Sequence, residues 1–203
     1  MAGTVTPLAV TGAYDPTHLV VGPGAMYLNV PLPTTGSSIS TVLTGGVPTT
    51  GQLVGYTKSG TTYHSSMALT GYEVDEVRSP IFYNPATETA SIQGVLVQLL
   101  DLEVLKAMLP NYLFITPDSF SVGGLQSWPT TAYPSVCVVG HDRSSPTPKK
   151  AAVMLYSALN TQEFIMAITR QNPSETAFTF TGQAIGTRNP GDQVGGVWME
   201  GAV

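Results

Sequence analysis

The sequence is poor in charge before it is rich in anything. Asp, Glu, Lys and Arg make up 10% of its 203 residues, where a soluble domain ordinarily carries about a quarter. Hydrophobic residues, at 42%, have not risen to replace them, and Gly, Pro, Ser and Thr fill the difference. A soluble monomer keeps its copies apart with charged surface, so this scarcity implies that much of the surface ends against other protein. The competing reading is a neutral, Thr-rich β-protein that stays monomeric. Basic residues are the scarcer sign, 8 against 13 acids for a net charge of −5, and the one adjacent basic pair is Lys149-Lys150. Without a basic stripe, tight phosphate binding is not expected. The acids cluster once, as Glu73, Asp75 and Glu76.

Cysteine is almost missing. Cys137 stands alone, which excludes an intrachain disulfide framework, and its setting in the apolar run SVCVVG predicts a buried, inert thiol. Long apolar runs are missing too: none reaches the roughly 18 residues that a membrane span needs. The opening MAGTVTPLAVTGAYDP has no basic start followed by an apolar core, so the chain is expected to be soluble where it is made, with no membrane partner.

Catalytic constellations are equally scarce. His18, His64 and His141 lie far apart in sequence, and none has a second His or carboxylate at helical ligand spacing. No Gly-x-Ser-x-Gly turn presents a nucleophile, and GQLVGYTKS departs from phosphate-loop spacing with no helix after it. The acids at 73–76 have no aromatic platform nearby for glycoside cleavage and read as a solvated face. The expectation is therefore a protein that is not an enzyme, with no catalytic residue, no cofactor and no metal site.

What is there is β-patterning around one strand-to-helix unit. In TASIQGVLVQLLDLEVLKAMLPNYLF, from Thr89 to Phe114, Ala90, Ile92 and Leu96 alternate with Val95 and Val97, as a strand covered on both faces requires. Asp101 then caps a short helix over about 101–109, with Leu102, Leu105, Met108 and Leu109 as its packing stripe and Pro110 as its stop. A helix of about two turns is not stable alone, so a sheet must hold that stripe.

A chain of this length buries about 70% of its extended surface, enough for a single domain over 1–203. Residues 1–20 read as an N-terminal arm. Residues 34–52, TTGSSISTVLTGGVPTTGQ, form a long uncharged loop of the kind that is functional or ordered by a partner. Strands are expected at Ala25–Val30, Leu53–Tyr56, Thr61–Met67, Tyr72–Arg78, Pro134–Gly140, Phe164–Arg170, Glu175–Gln183 and Val194–Glu200. Turns are expected at Lys58-Ser59-Gly60, at Tyr83-Asn84-Pro85-Ala86 and over Arg143–Lys150. Ala151–Leu159 fits strand and helix equally. In ETAFTFTGQ, Phe178 and Phe180 point inward and the threonines outward.

Five landmarks in this order resemble the major tail tube proteins of long-tailed bacteriophages: GPGAMYLN at Gly22–Asn29, GYTKSGTTYH at Gly55–His64, EVDEVRSPI at Glu73–Ile81, the strand-helix unit, and ETAFTFTGQ. The resemblance covers roughly residues 20–110 well and the remainder loosely. Gln98-Leu99-Leu100 departs from it, standing where an acidic residue is expected. It implies an antiparallel two-sheet β-sandwich or partial barrel with one flanking helix. Copies of such a subunit would close into hexameric rings and stack into a tube for DNA, in a virion tail assembled in the host cytoplasm. The implied partners are further copies of the chain, the tape measure, tail terminator and distal tail proteins, and DNA that transits without specific binding. On that reading Glu73 and Asp75 are candidate lumen-facing acids. Two alternatives remain: another virion structural protein, such as a head decoration or tail completion protein, and a monomeric carbohydrate-binding or hydrolytic β-domain that stacks sugars on Trp128 and Trp198.

Overall fold

The computed structural model describes residues 18–21, 24–44, 47–74, 77–97, 108–109, 112–116, 119–122, 133–142, 149–163 and 175–200. The strands are β1 (His18–Val21), β2 (Ala25–Leu28), β3 (Leu43–Thr44), β4 (Val47–Pro48), β5 (Gln52–Val74), β6 (Val77–Leu96), β7 (Tyr112–Thr116), β8 (Ser119–Val122), β9 (Val136–Asp142), β10 (Lys149–Leu155), β11 (Ala158–Asn160), β12 (Thr176–Gly182) and β13 (Gly195–Met199), with a one-turn helix α1 (Ile39–Val42). The fold is mainly β and antiparallel, as expected. One sheet runs β11-β12-β6-β5-β2-β9-β10-β13, with β1 beside β5, and folds over into a sandwich that does not close as a barrel.

Strand β5 turns the corner. Its first residues pair with β2 and the rest with β6. The handover falls where Thr57 opposes Leu96 and Thr61 opposes Gly94, four steps on β5 against two on β6. Gly60 takes φ 94°, which glycine adopts without strain. The sequence pattern of Lys58-Ser59-Gly60 suggests a hairpin turn; the glycine does have the left-handed φ, but the strand bends there and continues. Leu53–Tyr56 and Thr61–Met67 do not pair with each other because each has a partner of its own, β2 and β6. At the opposite corner the ambiguous stretch 151–159 is strand. β10 passes through Tyr156 and Ser157 into β11, with Tyr156 N–H bonded to Val194 O and Gln183 N–H to Ser157 O.

The core lies between the two halves. Met26, Val136, Val138, Val153 and Leu155 meet Ile92, Leu96, Phe178 and Phe180. β12 alternates, with Phe178 and Phe180 buried as expected and their rings 5.7 Å apart, but Thr176, expected outward, shares their face and is buried too. β9 and β10 are apolar on both faces, so the face turned away from this core needs its own cover. Residues 30–43 supply it: Val30, Ile39, Val42 and Leu43 pack on Cys137, Val139, Ala152, Met154 and Tyr156. The stretch 34–52, expected as a long uncharged loop, holds α1 and the β3-β4 ladder and forms a third layer. Of the expected arm, 18–20 lie in β1 and 1–17 fall outside the described residues. The flanking helix falls mostly outside them too. Met108 is helical and 1% exposed in the main core, Leu109 is half-buried, and Leu102 and Leu105 are not described. Asn160 Nδ2 donates to Met108 O at 3.0 Å, tying that turn to β11. The expected strand at 164–170 and Trp128 also lie outside the described residues, as do 143–148 of the expected turn; Lys149 and Lys150 belong to β10.

Candidate assembly surface

The most unusual element is the hairpin of β5 and β6. β12 pairs with β6 at Ser91–Leu96 and β1 with β5 at His64–Thr61. From Ser65 and Ala90 outward only the two strands remain among the described residues, as far as the Val74–Val77 pair. A strand packed on one face alternates buried and exposed, but Ser65 through Thr70 are all exposed, and so are Thr87 through Thr89. Over these described residues neither face is covered. The pair is a ribbon standing off the sandwich, about 30 Å long at about 3.3 Å per residue. Two-stranded ribbons are marginal in water by themselves, and their edges offer free N–H and C=O groups to a further strand.

This ribbon corrects three sequence expectations. Tyr72–Arg78 is not one strand, since β5 ends at Val74 and β6 begins at Val77. Tyr83-Asn84-Pro85-Ala86 is not a turn: Asn84 opposes Thr70, Pro85 opposes Leu69, and Ala86 is the extra residue of a bulge. Pro80 does not close a strand but lies inside β6. Proline is tolerated there because this stretch of β6 has no ladder partner on its outer side among the described residues, so a missing N–H breaks no bond.

The two faces of the ribbon differ. Tyr63, Met67 and Leu69 share the face of Ala90 and Ile92, which farther along is the core face. Tyr63 still packs on the core, and burial raises its phenol pKa, with the nearby Glu88 charge adding to this and a Ser65 hydrogen bond opposing it. Four and six residues on, the core has ended, and Met67 is 57% and Leu69 51% exposed. The opposite face, which continues over β12, is lined with hydroxyls and amides. Ser66 and Thr89 bond at 2.8 Å, Thr161 and Thr181 at 3.1 Å, and Thr179 donates to Gln162 at 3.4 Å. The charged contact at its margin is the exposed Lys58–Glu175 ion pair, which links the β5 corner to the start of β12.

At the other end of β5 lies a groove of about 360 Å³, lined by Val30, Pro31, Leu32, Pro33, Thr34, Thr41, Val42, Thr49 and Thr50. Its wall is pinned by a polar knot. The Asp192 carboxylate accepts hydrogen bonds from Tyr156 Oη, Arg188 Nη2 and Thr35 Oγ1, each at 2.6 Å. Arg188 Nη2 also donates to Pro33 O at 2.8 Å, and its guanidinium lies 4.2 Å over the Tyr156 ring. Burial alone would raise the Asp192 pKa, but the bonds from Thr35, Tyr156 and Arg188 and the Arg188 charge outweigh it, so the carboxyl lies below its ordinary 3.8. Burial, then the bond to Asp192 and its charge, push the Tyr156 phenol well above its ordinary 10.0 despite Arg188.

Of the sequence-nominated residues, Glu73 falls on the ribbon near the end of β5; its side chain, and Asp75 entirely, lie outside the described residues. Cys137 is buried as expected, and burial pushes its thiol up to about 12. Trp198 packs in the outer layer and donates its indole N–H to Ser37 O at 3.0 Å, so its polar edge is already used. The fold brings His18 opposite His64 across the β1-β5 ladder, a neighbourhood that sequence spacing does not signal. Among the described residues no three His, Cys, Asp or Glu side chains gather to hold a metal, and no helix is long and apolar enough to cross a membrane.

The geometry defines an antiparallel β-sandwich with a projecting ribbon, a covered outer face and few charges. Compared with known proteins, the chain matches no family model and no curated sequence.

Proposed function

We propose that the protein is a structural subunit that works by self-assembly, in the manner of the bacteriophage tail tube proteins its sequence resembles: rings, hexameric by that resemblance, stack into a tube that conducts DNA out of a virion. The supporting observation is the bare β5-β6 ribbon. A strand pair that, among the described residues, is exposed on both faces at 65–70 and 87–89 and has no further strand at either edge is a liability for a monomer, and becomes a joining element when copies meet. Low charge supports the same reading, because permanent interfaces exclude charge from their centres. A ring closes by heterologous contact, and head-to-tail stacking of rings gives an open polymer. The tape measure, tail terminator and distal tail proteins would meet the tube at its ends.

The proposed mechanism is passive, with no catalysis and no cofactor. A conduit must not retain phosphates; on the hydroxyl-lined face of β5, β6 and β12 the described lysine, Lys58, stands at the margin and is paired with Glu175, while Glu73 and Asp75 add repulsion along the lumen. Electron microscopy of the purified protein tests the reading. Stacked tubes are expected. Closed particles alone would favour a head decoration or completion protein, and elution at the 21.3 kDa of one chain at high concentration would overturn self-assembly.

A further inference from the structure

The ribbon and the groove lie at opposite ends of one strand. β5 starts beside Thr50 at the groove and ends in the ribbon. At about 3.3 Å per residue, the path from Gly51 to Met67 covers up to about 50 Å, so a subunit's ribbon is carried away from its own groove. The groove is apolar at Val30, Leu32 and Val42, rimmed by threonines, and free of charged lining residues. The ribbon's free apolar side chains, Met67 and Leu69, are flanked by Ser66, Ala68 and Thr70.

We propose that Met67 and Leu69 of one copy insert into the Val30–Leu32–Val42 groove of the next copy, making the axial contact between stacked subunits. This rests on the tube reading and specifies the two surfaces it needs. The apolar character of both sides gives the contact its stability. Methionine suits it because its unbranched side chain adapts to an irregular slot. Donor and acceptor are different surfaces at opposite ends of the molecule, so the contact is heterologous and repeats without closing. The Asp192–Arg188 knot, bonded to Thr35 and to Pro33 O, holds the groove wall in place before the ribbon arrives.

Two measurements decide it. Because Cys137 is buried, introduced thiols report alone. Met67→Cys protein mixed with Leu32→Cys protein is expected to give disulfide-linked dimer on mild oxidation, whereas Met67→Cys mixed with Gln93→Cys is not. Equal linkage in both mixtures, or none in the first while tubes still form, overturns the docking. The Met67→Asp/Leu69→Asp variant, altered at exposed positions only, is expected to keep its thermal midpoint and lose tube elongation. If that variant elongates like the unsubstituted protein, the docking is wrong and the tube reading stands. If the unsubstituted protein never assembles, both fall.

Discussion

Two residues carry the clearest thermodynamic consequences. Thr61 is 2% exposed and its hydroxyl has no hydrogen-bond partner among the described residues, an uncompensated cost inside the β5 corner. Replacing it with valine keeps the branched shape and removes the stranded group, so Thr61→Val is expected to stabilise the fold by about 1 kcal/mol, read as a higher urea midpoint at unchanged slope. Asp192 acts through pH. Its folded carboxyl titrates below the unfolded value of 3.8, so its stabilisation is fully present above that value and is lost as pH falls through the folded pKa. Tyr156 has the opposite shape: its raised folded pKa means that stability falls as pH climbs above the unfolded 10.0. Denaturant midpoints measured across acid pH should therefore show a steeper loss for the native protein than for Asp192→Asn, with the two curves converging at the acid end. Parallel curves would remove Asp192 from the account.

Among the elements, the ribbon bears most directly on function. Excising residues 68–87 and joining Met67 to Glu88 through Asn-Gly closes an existing cross-strand pair with a two-residue turn. The shortened chain is expected to keep the body's thermal midpoint, because the ribbon residues removed at 68–70 and 87 are all exposed, and to stay unassembled in sedimentation. Collapse of the midpoint would show the ribbon to be part of the folding unit. How far the elements could be read from sequence follows the range of the forces that make them. β12 was legible because Phe178 and Phe180 alternate with Ala177 and Thr179 within one strand. β9 was legible as a short apolar run. The ribbon was not, because its chain reversal carries no Gly or Pro, while Pro80, Pro85 and Lys58-Ser59-Gly60 send turn signals from inside strands. The cover supplied by residues 30–43 was missed for a different reason. Its demand is set by Cys137, Val139 and Met154, a hundred residues away, and only the fold brings them together. For the surface, low charge suggests contact with other protein, but the place of the free ribbon depends on where β5 bends, which the sequence pattern does not signal.

For the whole molecule, the decisive quantity is the 10% of charged residues. Assemblies held by exposed ion pairs weaken as salt screens them, the Debye length falling to about 3 Å at about 1 M. One held by apolar insertion and strand pairing does not, and sulfate strengthens it. Sedimentation in rising sodium sulfate is therefore expected to show equal or greater polymer, and dissolution by salt would refute an apolar joint. On the proposed tube reading, the sign of the remaining charge concerns the DNA. Each subunit carries 13 acids against 8 basic residues, and in the proposed tube each basic wall residue would add a phosphate contact that must break for the genome to advance. Reversing Glu73 and Asp75 to lysine places that cost along the proposed lumen without touching Met67, Leu69 or the groove. The variant is expected to form tubes of normal length and to retain DNA on them at low salt, while virions built from it eject their genomes more slowly. Normal ejection with no DNA retention would place those acids away from the channel.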